Sequence, residues 1–256
     1  MPHATHLAAR TLDCPMRLLS PSLALLLAAC SSIGPAARYY YPIGELTEGL
    51  VYAYESVGPL PAPDYYWYYR SVIGRDSTTL AATYYDAGFE PRQFTNERIV
   101  PTGVLRRDLR LFTPTDTTSV QTQAEVLAPA VFSFEAPDPD RLLVSAVRWR
   151  EGAPGSSPED PTSTRPTYTI THNRHYLRDT VVTVEGARRD AQVWQVRELV
   201  EQDSAGVLAL EARAVEIYAE DVGLVYRERA FGDGTLEAYR LAERFVMDTL
   251  VTRAGR

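Results

Sequence analysis

The residues best suited to chemistry are two histidines, His172 and His175, in the segment Thr-His-Asn-Arg-His-Tyr. A metal site would combine both with Asp179, and a Ser-His-Asp triad would use one of them. On a β-strand a spacing of three places the two rings on opposite faces, whereas a loop could bring them together. The sequence contains no Gly-x-Ser-x-Gly segment to supply a nucleophile. We therefore favour two exposed polar residues at a turn, and we predict no metal site and no catalytic residue.

Acidic residues offer pairs that resemble the carboxylates of glycoside hydrolases. Glu198 with Glu201, and Glu211 with Glu216, are such pairs. A glycosidase requires a defined separation between its two carboxyl groups, which a sequence does not supply. A chain with 33 acidic residues contains such pairs by chance. We therefore predict a protein that is not an enzyme and has no cofactor.

The basic residues exclude several classes of protein. All 26 are arginine, so P-loop phosphate binding through lysine, Schiff-base chemistry and the Ser-x-x-Lys nucleophile are excluded. The net charge of −7 argues against a nucleic-acid partner. A local cluster, Arg106-Arg107-Asp108-Leu109-Arg110, could contact lipid headgroups or lipopolysaccharide phosphates. The alternative is an exposed strand face balanced by acidic residues.

Aromatic residues are abundant, with 16 tyrosines and three tryptophans. In a strand, Tyr65, Trp67 and Tyr69 share one face, while Tyr66 and Tyr68 share the other. One reading is an aromatic surface for a lipid, a glycan or a partner protein, because Tyr and Trp tolerate partial exposure. The other is cross-strand aromatic pairing that stabilises a sheet.

The N-terminal segment has the features of a signal peptide. Arg17 precedes an apolar run from Leu18 to Ala29, which is shorter than the roughly 20 residues of a membrane-spanning helix. We predict a leader over residues 1–29, with Met16 as the true start.

The end of this run, Leu27-Ala28-Ala29-Cys30, resembles the lipobox of bacterial lipoproteins. The resemblance implies that Cys30 becomes the first mature residue and carries fatty acyl chains such as palmitate. In that family Ser31 at the next position favours the outer membrane. The alternative is an ordinary signal peptide with an incidental cysteine. Residues 30–38 are small and turn-prone and are predicted to form a lipidated tether.

Strand signals dominate the remainder, residues 39–256, which we predict to be a single β-rich domain. The predicted strands are 49–57, 64–73, 78–85, 93–100, 104–112, 118–126, 130–134, 142–149, 167–171, 179–185, 192–200, 207–218, 224–231 and 235–245. Residues 151–166 are predicted to be an exposed loop. One short helix is possible around Asp138 to Leu143. The fold class is all-β, as a curled antiparallel sheet or an open or half barrel, with little helix outside the signal peptide.

The C-terminal third carries a second, weaker resemblance. The segment from Glu216 to Glu228, followed by a hairpin and Tyr239-Arg-Leu241, is similar to uncharacterised bacterial envelope proteins. The resemblance implies a curled antiparallel sheet like that of the lipoprotein carriers and receptors of the outer-membrane sorting pathway. It covers about 30 residues and names no catalytic residue. Gly223 in this segment is expected at a bulge or at a tight strand entry.

Together these features predict a lipoprotein of the bacterial cell envelope, anchored in the outer membrane through the lipid on Cys30 and facing the periplasm. We expect it to bind an apolar ligand, with a surface at Tyr65, Trp67 and Tyr69, or to serve as an envelope scaffold. The alternatives are a protein-interaction module of an envelope assembly complex, whose partner would be an envelope protein, and a secreted hydrolase.

Overall fold

A computed structural model describes residues 33–115, 119–150, 165–203 and 207–255. Within them, twelve antiparallel strands form a closed barrel in which consecutive strands are neighbours. The strands are β1 Leu50–Ser56, β2 Tyr65–Ile73, β3 Thr78–Tyr85, β4 Pro91–Val100, β5 Gly103–Pro114, β6 Ser119–Ser133, β7 Leu143–Arg150, β8 Thr167–Val184, β9 Ala187–Asp203, β10 Val207–Ala219, β11 Gly223–Phe231 and β12 Leu236–Phe245. The last strand pairs with the first, Phe245 opposite Val51.

The all-β prediction is confirmed, and the structure is more specific than a curled sheet or a half barrel. Pairing of β12 with β1 leaves the sheet without a free edge, which removes a row of unpaired backbone groups. The period of two along each strand then places alternate side chains inside the barrel. The expected hairpin between β2 and β3 is also confirmed, with Ile73 opposite Thr78.

Two long strands replace four predicted short ones. The predicted strands 118–126 and 130–134 belong to β6, which continues through irregular pairing near Leu127. The predicted strands 167–171 and 179–185 belong to β8, where the register against β9 shifts between Tyr176 and Arg178. The turn expected at His172 and His175 is therefore wrong, because a bulge absorbs the irregular residue and pairing with β9 continues.

The helical segments differ from the expectation. The possible helix near Asp138 is a turn, in which the Asp138 carboxylate accepts from the Asp140 backbone N–H at 2.9 Å. A short helix, α1 Met247–Ala254, ends the described chain instead. It was not predicted because its β-branched Thr249, Val251 and Thr252 lower helix propensity.

Two glycine positions explain local features of the last strands. Gly234 has φ +88° in the hairpin between β11 and β12, as its place in Gly232-Asp233-Gly234 predicts. Gly223 begins β11 with φ +95°, and a Cβ there would lie 2.5 Å from the Tyr41 ring. The expected tight strand entry is therefore confirmed, and it exists because an aromatic ring packs against the backbone.

Several predicted features lie outside the described residues. They are the leader, Cys30 and residues 151–164 of the predicted loop. Ile33–Arg256 form one compact unit. Within this unit Pro35–Tyr39, which overlap the predicted tether, form a 3-10 helix with Ala36 buried. A second 3-10 helix, Glu45–Thr47, follows before β1.

Candidate functional site

One end of the barrel is filled by residues 35–47, which we call the N-terminal plug. Its backbone is fixed at both sides, since Ala36 N–H donates to the Phe134 carbonyl and Arg38 accepts from Asp221 N–H. Tyr40 and Tyr41 are buried inside the barrel. The Tyr41 ring centroid lies 4.1 Å from that of Tyr69 on β2. The plug therefore completes the core at this end with aromatic side chains.

Two adjoining cavities remain beyond the plug, and together we call them the lumen. The deeper cavity has a volume of about 300 Å³ and the outer one about 260 Å³. Both are lined by Tyr65, Trp67, Gln93, Arg227 and Arg229. The described residues leave the lumen open at the end where β2 and β12 begin. Its deeper part is at the lower limit of the usual size for small-molecule pockets.

The three aromatic residues predicted as a binding surface line the inside of the lumen. Tyr65 stacks on Tyr54 at 4.9 Å, and Trp67 stacks on Tyr69 at 5.8 Å between ring centroids. Tyr69 is the most buried of the three, because Tyr41 of the plug covers it. A flat aromatic docking face, as the interaction-module alternative requires, is therefore not formed by these residues. Tyr66, on the other face of β2, stacks on Phe89.

A charged cluster occupies the wall facing the aromatic residues. On β8, His172 and Arg174 are two positions apart and both face inward. His172 Nε2 lies 2.9 Å from a carboxylate oxygen of Glu198, its cross-strand partner on β9. Glu198 also accepts from Arg227 at 3.3 Å and contacts Arg229. The buried carboxylate of Glu198 thus contacts three side chains.

Glu216 on β10 holds the second part of this cluster. It accepts from Arg174 Nε at 3.1 Å and from the Tyr218 hydroxyl at 3.1 Å. Burial alone would raise the pKa of Glu216, but Arg174 and Arg227 outweigh it and lower the pKa to about 2. Glu216 is therefore ionised, and its pair with Arg174 is a largely buried ion pair.

The histidine in this cluster is held neutral. Burial lowers the pKa of His172 well below 6.5, and the positive charges of Arg174 and Arg227 act in the same direction. The remaining ion pair of the lumen joins Arg106 on β5 to Glu97 on β4, 3.2 Å apart. Glu97 also accepts from the Tyr40 hydroxyl, which connects the charged cluster to the plug.

Some guanidinium donors of the lumen have no protein partner. The Nε atoms of Arg106, Arg227 and Arg229 are buried without a hydrogen bond. The Arg227 Nε lies 3.7 Å from Glu216, which is an ion-pair distance but too long for a hydrogen bond. Buried donors without partners are rare in native proteins, so these three atoms distinguish the lumen from an ordinary packed interior.

Other predicted site residues are not brought together. His172 and His175 face opposite sides of β8, as their spacing predicts. Glu198 and Glu216 line the lumen, whereas their sequence partners Glu201 and Glu211 do not. Among the described residues, no group of three His, Cys, Asp or Glu side chains could hold a metal ion.

The predicted basic cluster on β5 is divided by irregular pairing. Arg106 faces the lumen, whereas Arg107 is exposed and Arg110 bonds to Asp108 at 2.9 Å. The register against β4 shifts between Asn96 and Glu97, which places an extra residue on β5. A continuous basic strand face for lipid phosphates is therefore not formed.

Sequence reasoning missed Arg174, Arg227 and Arg229. The sequence does contain one signal. Arg227 and Arg229 are two positions apart on β11, so they lie on the same face of the strand. Inward arginine positions are visible only once barrel closure shows which face is inside.

Comparisons with known proteins add little to this description. No family model matches the chain, and no curated protein matches it. Among solved structures, a candidate lipoprotein from Parabacteroides distasonis is similar, with a TM-score of 0.49 and 12% identity. The match covers 79% of this chain and 95% of that one. In the part of the chain that the structure describes, no helix is long and apolar enough to span a membrane.

Proposed function

We propose that the protein is a lipid-anchored envelope lipoprotein that binds a small organic molecule in its lumen and does not transform it. The observation that carries the binding function is the lumen itself. Among the described residues it is open at one end and closed by the plug at the other, and it has an aromatic wall opposite a charged wall. Because the lumen has a charged wall as well as an aromatic wall, its ligand combines an apolar body with a polar group.

The anchor rests on the sequence Leu27-Ala28-Ala29-Cys30. Metabolic labelling with an alkyne analogue of palmitate tests it. The wild type should be labelled, Cys30→Ala should not, and Cys14→Ala should be labelled normally because residue 14 lies in the discarded leader. An unlabelled wild type, or labelling that persists in Cys30→Ala, would contradict the anchor.

Binding in the lumen rests on the position of Trp67. Its ring lies 5.4 Å from Tyr84 and 5.8 Å from Tyr69, and it lines both cavities. A planar apolar ligand group can stack there, since offset aromatic pairs add about 0.5–1.5 kcal/mol beyond burial. The aromatic wall therefore supplies the contact for the apolar body.

Calorimetric titration of the purified full-length protein with 2-naphthoate and 2-naphthamide tests this binding. The protein is placed in lipid nanodiscs, with empty nanodiscs as the blank. At least one compound should bind, and Trp67→Ala should weaken binding about tenfold or more. Tyr66→Ala, on the outer face of the same strand, should bind normally. Failure of both compounds to bind would overturn the proposal, as would equal weakening by the two substitutions.

A further inference from the structure

The charges of the deeper cavity do not balance. Its lining contains four arginines and three glutamates, namely Arg106, Arg174, Arg227, Arg229, Glu97, Glu198 and Glu216. His172 is also present and is neutral because burial lowers its pKa. Arg106 pairs with Glu97 and Arg174 with Glu216. Arg227 and Arg229 therefore share Glu198, and one positive charge is left over.

The Arg227 and Arg229 side chains are 31% and 29% exposed, so they are partly removed from solvent, and their surplus charge favours an anion in the cavity. Arg227 and Arg229 are neighbours on the inner face of β11, and the Nε of each is buried without a hydrogen bond. A guanidinium presents its donors as a planar fork that matches a carboxylate with two parallel hydrogen bonds. The accessible parts of both guanidinium groups can therefore meet one further carboxylate beside the cavity.

We infer that the ligand of the lumen is an organic monoanion, with a carboxylate on Arg227 and Arg229 and an aromatic or other flat apolar body against Trp67 and Tyr65. The inference rests on the proposed function, because it names the ligand class of the same lumen. The four residues line both cavities, so one molecule of less than about 300 Å³ can reach them together.

One acidic residue near this position opposes the anion. Glu237 lines the outer cavity and is the cross-strand partner of Arg229. It is absent from the lining of the deeper cavity, where the carboxylate would lie. Burial lowers the pKa of Arg229 and the charge of Glu237 opposes that shift, so Glu237 partly offsets the surplus charge and competes with the anion for this guanidinium.

Three matched compounds separate charge from shape: 2-naphthoate, neutral 2-naphthamide and cationic 2-naphthylmethylammonium. In calorimetric titrations of the full-length protein in nanodiscs, naphthoate should bind at least tenfold more tightly than the amide, and the cation more weakly than both. Arg229→Gln should reduce the preference for naphthoate over the amide to less than threefold, while Arg229→Lys should retain part of it. Arg240→Gln, an exposed arginine paired with Glu55 on the outer face, is the control and should keep the preference.

A second variant distinguishes anion binding from a structural role of Arg229. Glu237→Gln removes the opposing charge, so naphthoate should bind severalfold more tightly while the amide is unaffected. Melting temperatures of all variants show whether the barrel is intact. If naphthoate and the amide bind equally tightly and Trp67→Ala still weakens both, the inference of a monoanionic ligand is overturned. The lumen would then remain a binding site. Binding of none of the three compounds would overturn both.

Discussion

The two halves of the barrel interior are built on the same strands but from different side chains. Near the plug, the interior is aromatic and apolar, with Phe132 packed among Tyr40, Trp194 and Tyr218. Farther along the same strands it carries ion pairs and a cavity. The filled half is packed with buried rings around Phe132, whereas the charged half encloses the lumen and lines it with arginines and glutamates. The difference indicates that the first half stabilises the fold, and it supports the binding function proposed for the second.

The largest loss of stability is expected when a buried aromatic side chain of the filled half is removed. Phe132→Ala should destabilise the protein by about 3–5 kcal/mol, because it removes a buried ring and leaves a cavity. Since Phe132 does not line the lumen, the affinity for 2-naphthoate should change less than threefold while the protein is folded. Urea denaturation and calorimetric titration measure the two quantities.

Phe94→Ala is the matched control for this substitution. Phe94 is half-buried beneath Arg110 on the outer face, so a smaller loss of stability is expected there. Loss of naphthoate binding in folded Phe132→Ala would show that the two halves are not separate in function.

The next largest loss of stability is expected when an ion pair of the charged half is disrupted. Glu216→Gln leaves the buried Arg174 without its counter-ion and should cost roughly 2–3 kcal/mol of stability at pH 7. The pKa of Glu216 is about 2 in the folded protein, below its ordinary value of 4.5. Its contribution is therefore complete above pH 4.5 and is lost as the pH falls towards 2. Urea denaturation at several pH values should show the wild type and the variant converging in acid.

Glu201→Gln changes an acidic residue of β9 outside the lumen and serves as the control for Glu216. It should leave both the stability and its pH dependence unchanged. A constant difference between wild type and Glu216→Gln from pH 7 to pH 3 would refute the role of this ion pair.

A smaller and more specific effect concerns the neutral histidine. The folded protein holds the pKa of His172 below 6.5, so the unfolded chain binds a proton first as the pH falls. Stability should therefore decrease below pH 6.5, with a slope of up to about 1.4 kcal/mol per pH unit. His172→Gln should flatten the slope between pH 6.5 and 5, and His175→Gln should not. Equal slopes in all three proteins would contradict a neutral, buried His172.

The two halves of the barrel interior differ in how much of their structure could be predicted from the sequence. Strand propensity and turn residues predicted most strands, and the shared face of Tyr65, Trp67 and Tyr69 followed from the period of two. Closure of the barrel and the inward insertion of Tyr40 and Tyr41 depend on contacts between distant segments, which local patterns do not carry.

The charged cluster was the least predictable part. Glu198 and Glu216 were noticed but paired with their neighbours in sequence, whereas their true partners lie on other strands, 42 residues away in the case of Arg174 and Glu216. Arginine is ordinarily an exposed residue, so nothing marked Arg227 or Arg229 as internal. Only the closed barrel brings these residues to one cavity.

The smallest loss of stability is expected for an ion pair on the outer surface of the barrel, which can be compared with the ion pair inside it. Arg148 and Glu125 form a cross-strand pair of the same chemical type as Arg174 and Glu216, with 2.7 Å between charged atoms. Their side chains are 48% and 59% exposed, against 12% and 4% for the internal pair. Arg148→Ala should therefore cost less than about 1 kcal/mol, and the loss should diminish further in high salt. Naphthoate binding should be unaffected. A loss as large as that of Glu216→Gln would mean that solvent exposure is not what separates the two pairs.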